Sequence, residues 1–216
     1  MAVLMKPFDA AWFYVEKPAA PGHFAPLIIL SRPVGASPTF IRDFVEQWRT
    51  CKTFAPPFNY RLRRSAVPSW DVLRDDQIDL DYHLRHSALP APGGERELGI
   101  LISRLHSHRL DRRRPFWECH VIEGLENDRF AIYLKLHHGQ LDGVGATRLI
   151  GRVFSADPKA IGMMPPWTVG MQSKLREPQK TSHSKSKPKT SGFAQFLASM
   201  PKVASALNGM ALEAYR

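Results

Sequence analysis

Residues 129–143 read RFAIYLKLHHGQLDG, and this stretch decides the fold. Its side chains alternate from Phe130 to His138, which predicts a β-strand with one wholly apolar face that ends in His138. The opposite face carries the neighbouring His137. A short turn then leads into a helix that we predict from Gly143 to Phe154.

Other strand and helix patterns surround this stretch. A short apolar run predicts a buried strand at Leu27–Leu30, and residues at helical spacing predict a helix over Phe40–Trp48 with Thr39 as its N-cap. A second amphipathic helix is predicted over Glu95–His108, and a second strand over Trp117–Glu123. Since strands and helices alternate, the pattern favours a layered α/β or α+β fold.

Composition bounds the class of protein. The chain has 216 residues, of which 44% are hydrophobic, so it can bury a core and is not disordered throughout. No apolar run reaches the ~18 residues of a membrane span. Lys6 and Asp9 interrupt the apolar run that a signal peptide requires. Cys51 and Cys119 have neither disulfide nor metal-site spacing. We therefore expect a soluble, cytoplasmic protein.

The net charge of +10 is unevenly distributed. Residues 171–190 contain six Lys or Arg against one Glu, which is half of the excess. We predict a domain over residues 1–170, a basic flexible linker over residues 171–191 and an amphipathic helix over residues 192–216. The linker fits a solvated tether, an attraction to anionic lipid headgroups or, least well, nucleic-acid binding, since no aromatic residues interleave with its charges.

The turn after the predicted strand contains most of the candidate functional residues. A neutral imidazole at His138, on the apolar face, could accept a proton near neutral pH. Asp142 could hold the turn, cap the helix or pair with a buried arginine, and Gly143 permits a close approach of the backbone. The alternative is that the two histidines only end a strand and have no catalytic role. The spacing does not fit a zinc site, and no G-x-S-x-G nucleophile motif is present.

The segment His137–Gly143, HHGQLDG, resembles the HHxxxDG signature of the CoA-dependent acyltransferase superfamily. Residues 110–118, LDRRRPFWE, resemble the PLDRxRPLWE element of bacterial wax ester synthase/diacylglycerol acyltransferases. Shorter matches to that family cover much of residues 5–170, and the following residues carry them: Phe8-Asp9-Ala10, Glu16, Pro68-Ser69-Trp70, Asp79-Leu80-Asp81-Tyr82-His83, Leu89 to Gly94, Ser155 to Pro158 and Pro165-Pro166-Trp167.

The resemblance implies a chloramphenicol-acetyltransferase-like domain, with a mixed sheet flanked by helices, that is the first of the family's two domains. It implies transfer of a fatty acyl group from acyl-CoA to diacylglycerol or a long-chain alcohol. His138 would be the general base, His137 secondary, Asp142 structural, and Gly143 would leave space beside the channel. Acyl-CoA enters as a substrate, and neither a cofactor nor a metal is implied. No residue is assigned to substrate binding.

The chain departs from the family pattern in sequence and in length. Arg109 replaces the first proline of PLDRxRPLWE, and Phe116 replaces its leucine. Family members are also about twice as long, so we expect a C-terminal half to come from a partner chain or from a homodimer. Because the implied substrates carry long hydrocarbon chains, we expect peripheral association with membranes or lipid inclusions. The alternatives are a non-catalytic, lipid- or partner-binding remnant of the family and, from charge alone, a nucleic-acid binder, which we do not favour.

Overall fold

The computed structural model describes residues 2–63, 65–157 and 160–171. Its strands are β1 (Ala2–Leu4), β2 (His23–Phe24), β3 (Leu27–Ser31), β4 (Tyr60–Leu62), β5 (Ser69–Val72), β6 (Leu84–Ala88), β7 (Trp117–Leu125) and β8 (Arg129–His137). Its helices are α1 (Pro7–Val15), α2 (Phe40–Thr50), α3 (Leu80–His83), α4 (Glu95–Ser107), α5 (Gly143–Val153) and α6 (Pro166–Val169), with a 3-10 turn at Asp75–Gln77.

The main sheet is mixed. It runs β2-β8-β7-β6, and β3 also pairs with β8. All pairs are antiparallel except β6 with β7, which is parallel. Asn127 and Asp128, both at positive φ, make the tight turn between β7 and β8. A second, three-stranded sheet has the order β1-β5-β4.

The two faces of β8 are covered by different helices. Ile132, with the rest of the strand's apolar face, packs in one core cluster with Trp48 of α2 and Leu149 of α5. Tyr133, on the opposite face, packs in a second cluster with Leu98 of α4. The sheet is therefore flanked by helices, and the prediction of a layered α/β fold is confirmed.

Most predicted elements are confirmed to within two residues. The strand predicted to end at His138 ends at His137. The prediction of a buried strand at Leu27–Leu30 is right about the strand and wrong about its burial. Leu27 and Ile29 are 39% and 45% exposed, because the face that they share packs in neither of the two core clusters described beside β8, whereas Leu30 on the other face packs against the first. Thr39 precedes α2, but its hydroxyl donates to the Asp43 carboxylate instead of capping the helix backbone.

Several predictions fall on residues outside the described part. The helix over residues 192–216 lies there, as does the linker over residues 171–191 apart from Met171, so the predicted domain division stays a prediction. Within the described residues, no helix has the length and apolar character needed to cross a membrane.

Trp117 tests the core on which β8 rests. Its ring is fully buried, stacks on His83 and Trp167 at centroid distances of 4.2 and 5.4 Å, and donates from Nε1 to the Phe58 carbonyl at 2.9 Å. Trp117→Phe leaves that carbonyl unpaired and a cavity beside it, so we expect urea denaturation to show a loss of about 2–4 kcal/mol in the free energy of unfolding. Val34→Ala, at a fully exposed position, serves as the control and should change it by less than about 0.5 kcal/mol. Equal effects would contradict this account.

Candidate active site

The two histidines sit where β8 ends against β2. The backbone of His137 pairs with His23, and its N–H donates to the Phe116 carbonyl at 3.2 Å. The N–H of His138 donates to the Gly22 carbonyl at 2.9 Å. Both histidine backbones are therefore tied to neighbouring segments of the chain.

His138 lies between two aromatic rings at the edge of the core. It stacks on Trp12 with a centroid distance of 4.4 Å and an interplanar angle of 15°, and Phe24 lies 4.5 Å away. Within the described residues, no group forms a hydrogen bond to the ring nitrogens of His138. Burial lowers the pKa of His138, while the Asp142 carboxylate acts in the opposite direction. This imidazole is neutral near pH 7, only partly buried and able to accept a proton.

The ring of His137 differs from that of His138 in its burial and its hydrogen bonding. Its ring is 1% exposed and stacks on Phe13 at 4.4 Å, with Phe116 at 5.0 Å. The N–H of Gly139 donates to its Nδ1 at 3.0 Å, which assigns the proton of the neutral ring to Nε2. Burial lowers the pKa of His137 to about 4, although the Glu16 carboxylate favours the charged form. With Nδ1 occupied and Nε2 protonated, His137 has no free lone pair with which to act as a base.

An ion pair between a buried carboxylate and a half-exposed guanidinium adjoins His137. The Glu16 side chain is 4% exposed and its Oε1 lies 3.9 Å from Nε2 of His137. Glu16 accepts hydrogen bonds from Nη2 of Arg112 at 2.6 Å and from the N–H of Gly22 at 3.3 Å. Burial alone would raise the pKa of Glu16, but these two hydrogen bonds and the charge interactions with His137 and Arg112 together outweigh it, so the pKa is lowered. Glu16 is therefore a carboxylate at neutral pH.

The turn after the histidines is shaped by Asp142 and the glycines. Oδ1 of Asp142 accepts from the N–H of Gly145 at 2.6 Å and caps α5, which is one of the three roles considered from the sequence. A Cβ on Gly139 would overlap the Phe13 ring and lie 2.8 Å from the Asp9 carbonyl oxygen. A Cβ on Gly143 would meet no atom within 4 Å. The tight approach in this turn is therefore at Gly139, whereas Gly143 adjoins open space.

Open space also lies beside the turn, in a depression of about 410 Å³. Its polar lining residues are Lys6, Asp9, Tyr60, Gln140, Asp142 and Arg148. Burial raises the pKa of Asp9, Lys6 acts in the opposite direction, and the nearby Asp142 carboxylate raises it further. Within the residues that the structure describes, no group of three or more His, Cys, Asp or Glu side chains is arranged to hold a metal ion.

Sequence reasoning missed the residues that hold the two imidazoles. Glu16 and Arg112 lie in stretches that resemble family motifs, but the pattern assigned them no role. Trp12 and Phe13 carried no signal, since only the fold brings α1 against the end of β8. The aromatic partners of both histidines come from segments distant in sequence.

Comparison with known sequences gives a consistent result. The family model described as the wax ester synthase/diacylglycerol acyltransferase catalytic domain matches residues 5–216. The O-acyltransferase WSD of Acinetobacter baylyi is 42% identical over 207 residues, which cover 94% of this chain and 43% of the relative. A probable diacylglycerol O-acyltransferase of Mycobacterium tuberculosis is 41% identical over 184 residues, with coverages of 83% and 40%. The chain thus spans about two-fifths of the length of these relatives.

Solved structures agree with the sequence matches. The wax ester synthase/diacylglycerol acyltransferase from Marinobacter aquaeolei VT8 superimposes with a TM-score of 0.71 at 39% identity, over 76% of this chain and 41% of that one. A starter condensation domain of the rhizomide synthetase matches with a TM-score of 0.51 at 12% identity, over 70% of this chain and 36% of that one. The second likeness concerns the fold alone. The predicted chloramphenicol-acetyltransferase-like fold is confirmed.

Two glycine substitutions test the packing of the turn. In Gly139→Ala the new methyl group must displace the Phe13 ring and the backbone of α1, so we expect the free energy of unfolding to fall by about 1–3 kcal/mol. Gly143→Ala is the matched control, because its methyl group enters open space at the first position of α5 and should leave stability unchanged or slightly raised. Thermal and urea denaturation measure both, and a larger loss in Gly143→Ala would refute this packing.

Proposed function

The chain belongs to the wax ester synthase/diacylglycerol acyltransferase family, and we propose that it supplies the general base for transfer of a fatty acyl group from acyl-CoA to a hydroxyl group. The acceptor in this proposal is diacylglycerol or a long-chain alcohol. The chain spans about two-fifths of its relatives' length. We therefore propose that these residues contribute the base to an acyltransferase activity, and not that they carry out the whole activity alone.

The environment of His138 is the observation that carries the proposal. Of the two adjacent imidazoles, His137 has its Nδ1 occupied by the Gly139 N–H and its ring buried. His138 is partly exposed and has no hydrogen bond to another described residue at its ring nitrogens. A base must reach the proton that it removes, which favours His138 over His137.

The reaction balances with this one base. A ring nitrogen of His138 takes the proton of the acceptor hydroxyl while its oxygen attacks the thioester carbonyl. The new C–O bond forms, the tetrahedral intermediate collapses, and the C–S bond breaks. The departing thiolate of CoA takes the proton from the imidazolium, which restores neutral His138. No acyl-enzyme is needed, so no protein nucleophile is required.

The two aromatic rings beside His138 suit this role. Trp12 and Phe24 exclude water from two sides of the imidazole, and burial lowers the pKa of His138, so the base stays neutral at physiological pH. When the imidazolium forms, the face of the Trp12 indole stabilises its positive charge. Asp142, whose carboxylate also favours the charged form, contributes in the same direction.

An assay of CoA release tests the proposal. Palmitoyl-CoA is supplied with hexadecanol or with diacylglycerol, and His138→Ala is compared with the unaltered chain and with His108→Ala as a control at an exposed histidine. We expect acceptor-dependent release that His138→Ala reduces by a factor of about 100 or more, the usual contribution of a general base. Because the pKa of His138 is lowered, activity should persist below pH 6.5 and fall only at more acid pH.

The assay also separates the proposal from its alternatives. A rate per chain that rises with protein concentration would indicate a homodimer, and a rate that appears only with an added C-terminal half would indicate a partner chain. Full activity in His138→Ala would refute the proposed base. A folded chain that binds acyl-CoA and never releases CoA, alone or with an added half, would favour a lipid-binding remnant.

We also propose peripheral association with a lipid surface. The exposed apolar side chains on and before α1 support it, since Leu4, Tyr14 and Val15 are 76%, 75% and 60% exposed, and Lys6 and Lys17 lie nearby in the sequence. The test is flotation with vesicles of neutral and anionic phospholipid. We expect a smaller fraction of the Tyr14→Ser/Val15→Ser variant than of Val34→Ser, a control at another exposed valine, to float with the vesicles. Recovery of only free protein with the unaltered chain would contradict the proposal.

A further inference from the structure

We propose that Arg112 and Glu16 are positioning residues for His138: together they lock α1 and the segment around Gly22 against the end of β8. This inference rests on the proposed role of His138 as the base. Neither residue touches the reacting atoms in this scheme. Their effect passes through hydrogen bonds and ring contacts that the structure describes.

The first route runs through the backbone. Oε1 of Glu16 accepts from the N–H of Gly22 at 3.3 Å, and the carbonyl of Gly22 accepts from the N–H of His138 at 2.9 Å. Arg112 holds the other oxygen of the Glu16 carboxylate at 2.6 Å. A chain of three hydrogen bonds therefore joins the guanidinium to the backbone of the base.

The second route runs through α1. Nη2 of Arg112 also donates to the carbonyl of Phe13 at 3.4 Å, and its guanidinium carbon lies 6.0 Å from the centroid of the Phe13 ring. The N–H of Glu16 donates to the carbonyl of Trp12 at the end of the helix. The ion pair thus fixes the last turn of α1, which carries Trp12 against His138 and Phe13 against His137.

The charges add a third effect. Four groups act on the ring of His137: the Glu16 carboxylate favours its protonation, whereas Arg112, His23 and His138 oppose it. Without Arg112, the buried carboxylate 3.9 Å away would draw a proton onto His137. A charged His137 would then repel the imidazolium that forms on the adjacent His138. Burial is the main cause of the low pKa of His137, and Arg112 adds to it by opposing the effect of Glu16, which helps to keep His137 neutral during the reaction.

Histidine titration by NMR on the full chain tests this inference without an activity assay. In Arg112→Gln we expect the pKa of His137 to rise from about 4 towards its ordinary value of 6.5, and the ring resonances of His138 to shift as the Trp12 stack loosens. Arg112→Lys keeps the charge and should leave the pKa of His137 closer to that of the unaltered chain. Arg113→Gln is the matched control, because Arg113 pairs with Asp111 and its side chain is 78% exposed.

The kinetic counterpart follows CoA release. Arg112→Gln should lower kcat by about tenfold with little change in KM, and Arg112→Lys should recover part of the loss, as expected when geometry at the base changes but substrate binding does not. If Arg112→Gln does not fold, Glu16→Gln and Arg112→Lys carry the test. Unchanged titration of both histidines in Arg112→Gln, or equal shifts in Arg113→Gln, would overturn the inference. If the unaltered chain releases no CoA, the proposed function fails, whereas the titrations still decide this inference.

Discussion

Two adjacent imidazoles at the end of one strand must be held apart and kept neutral, and the rest of the site depends on this constraint. Successive side chains of a strand point to opposite faces, so each of the two rings needs its own packing partner. The structure meets the constraint with consecutive residues of α1, since Trp12 stacks on His138 and Phe13 stacks on His137. The last turn of α1 is thereby placed across the end of β8, and Gly139 is the residue whose missing side chain permits that approach.

The electrostatic side of the constraint explains why a buried acid lies beside a buried histidine. A carboxylate removed from water is costly unless it is paired and hydrogen-bonded. Glu16 has both kinds of partner in Arg112 and Gly22, so it keeps its charge without protonating His137. The Gly139 N–H then stabilises the lone pair at Nδ1 of His137. These contacts divide the pair into a structural histidine and one that is available to act as a base.

Much of the fold could be predicted from sequence because its strongest signals are local. The alternation in β8 and the apolar spacing of α2, α4 and α5 reflect burial against one neighbouring layer, and these elements appeared within two residues of their predicted bounds. The exposure of β3 could not be predicted, since an apolar run does not show which faces of its strand other elements cover. The packing of Trp12 and Phe24 against His138 could not be predicted either, because it depends on how α1 and β2 meet β8. Local patterns predict elements, whereas the site is made by contacts between them.

The segment LDRRRPFWE shows how a sequence signature can encode several contacts at once. Arg112 reaches Glu16, Phe116 packs beside His137, and Trp117 fills the core and donates to the Phe58 carbonyl. These three residues follow one another within six positions and serve three different surroundings: the ion pair, the histidine and the core. A shift of this segment by one residue along β8 would exchange the faces of β7 and disrupt all three contacts together. The contacts of this segment therefore fix the register of β7 against β8, the strand that leads to the two histidines.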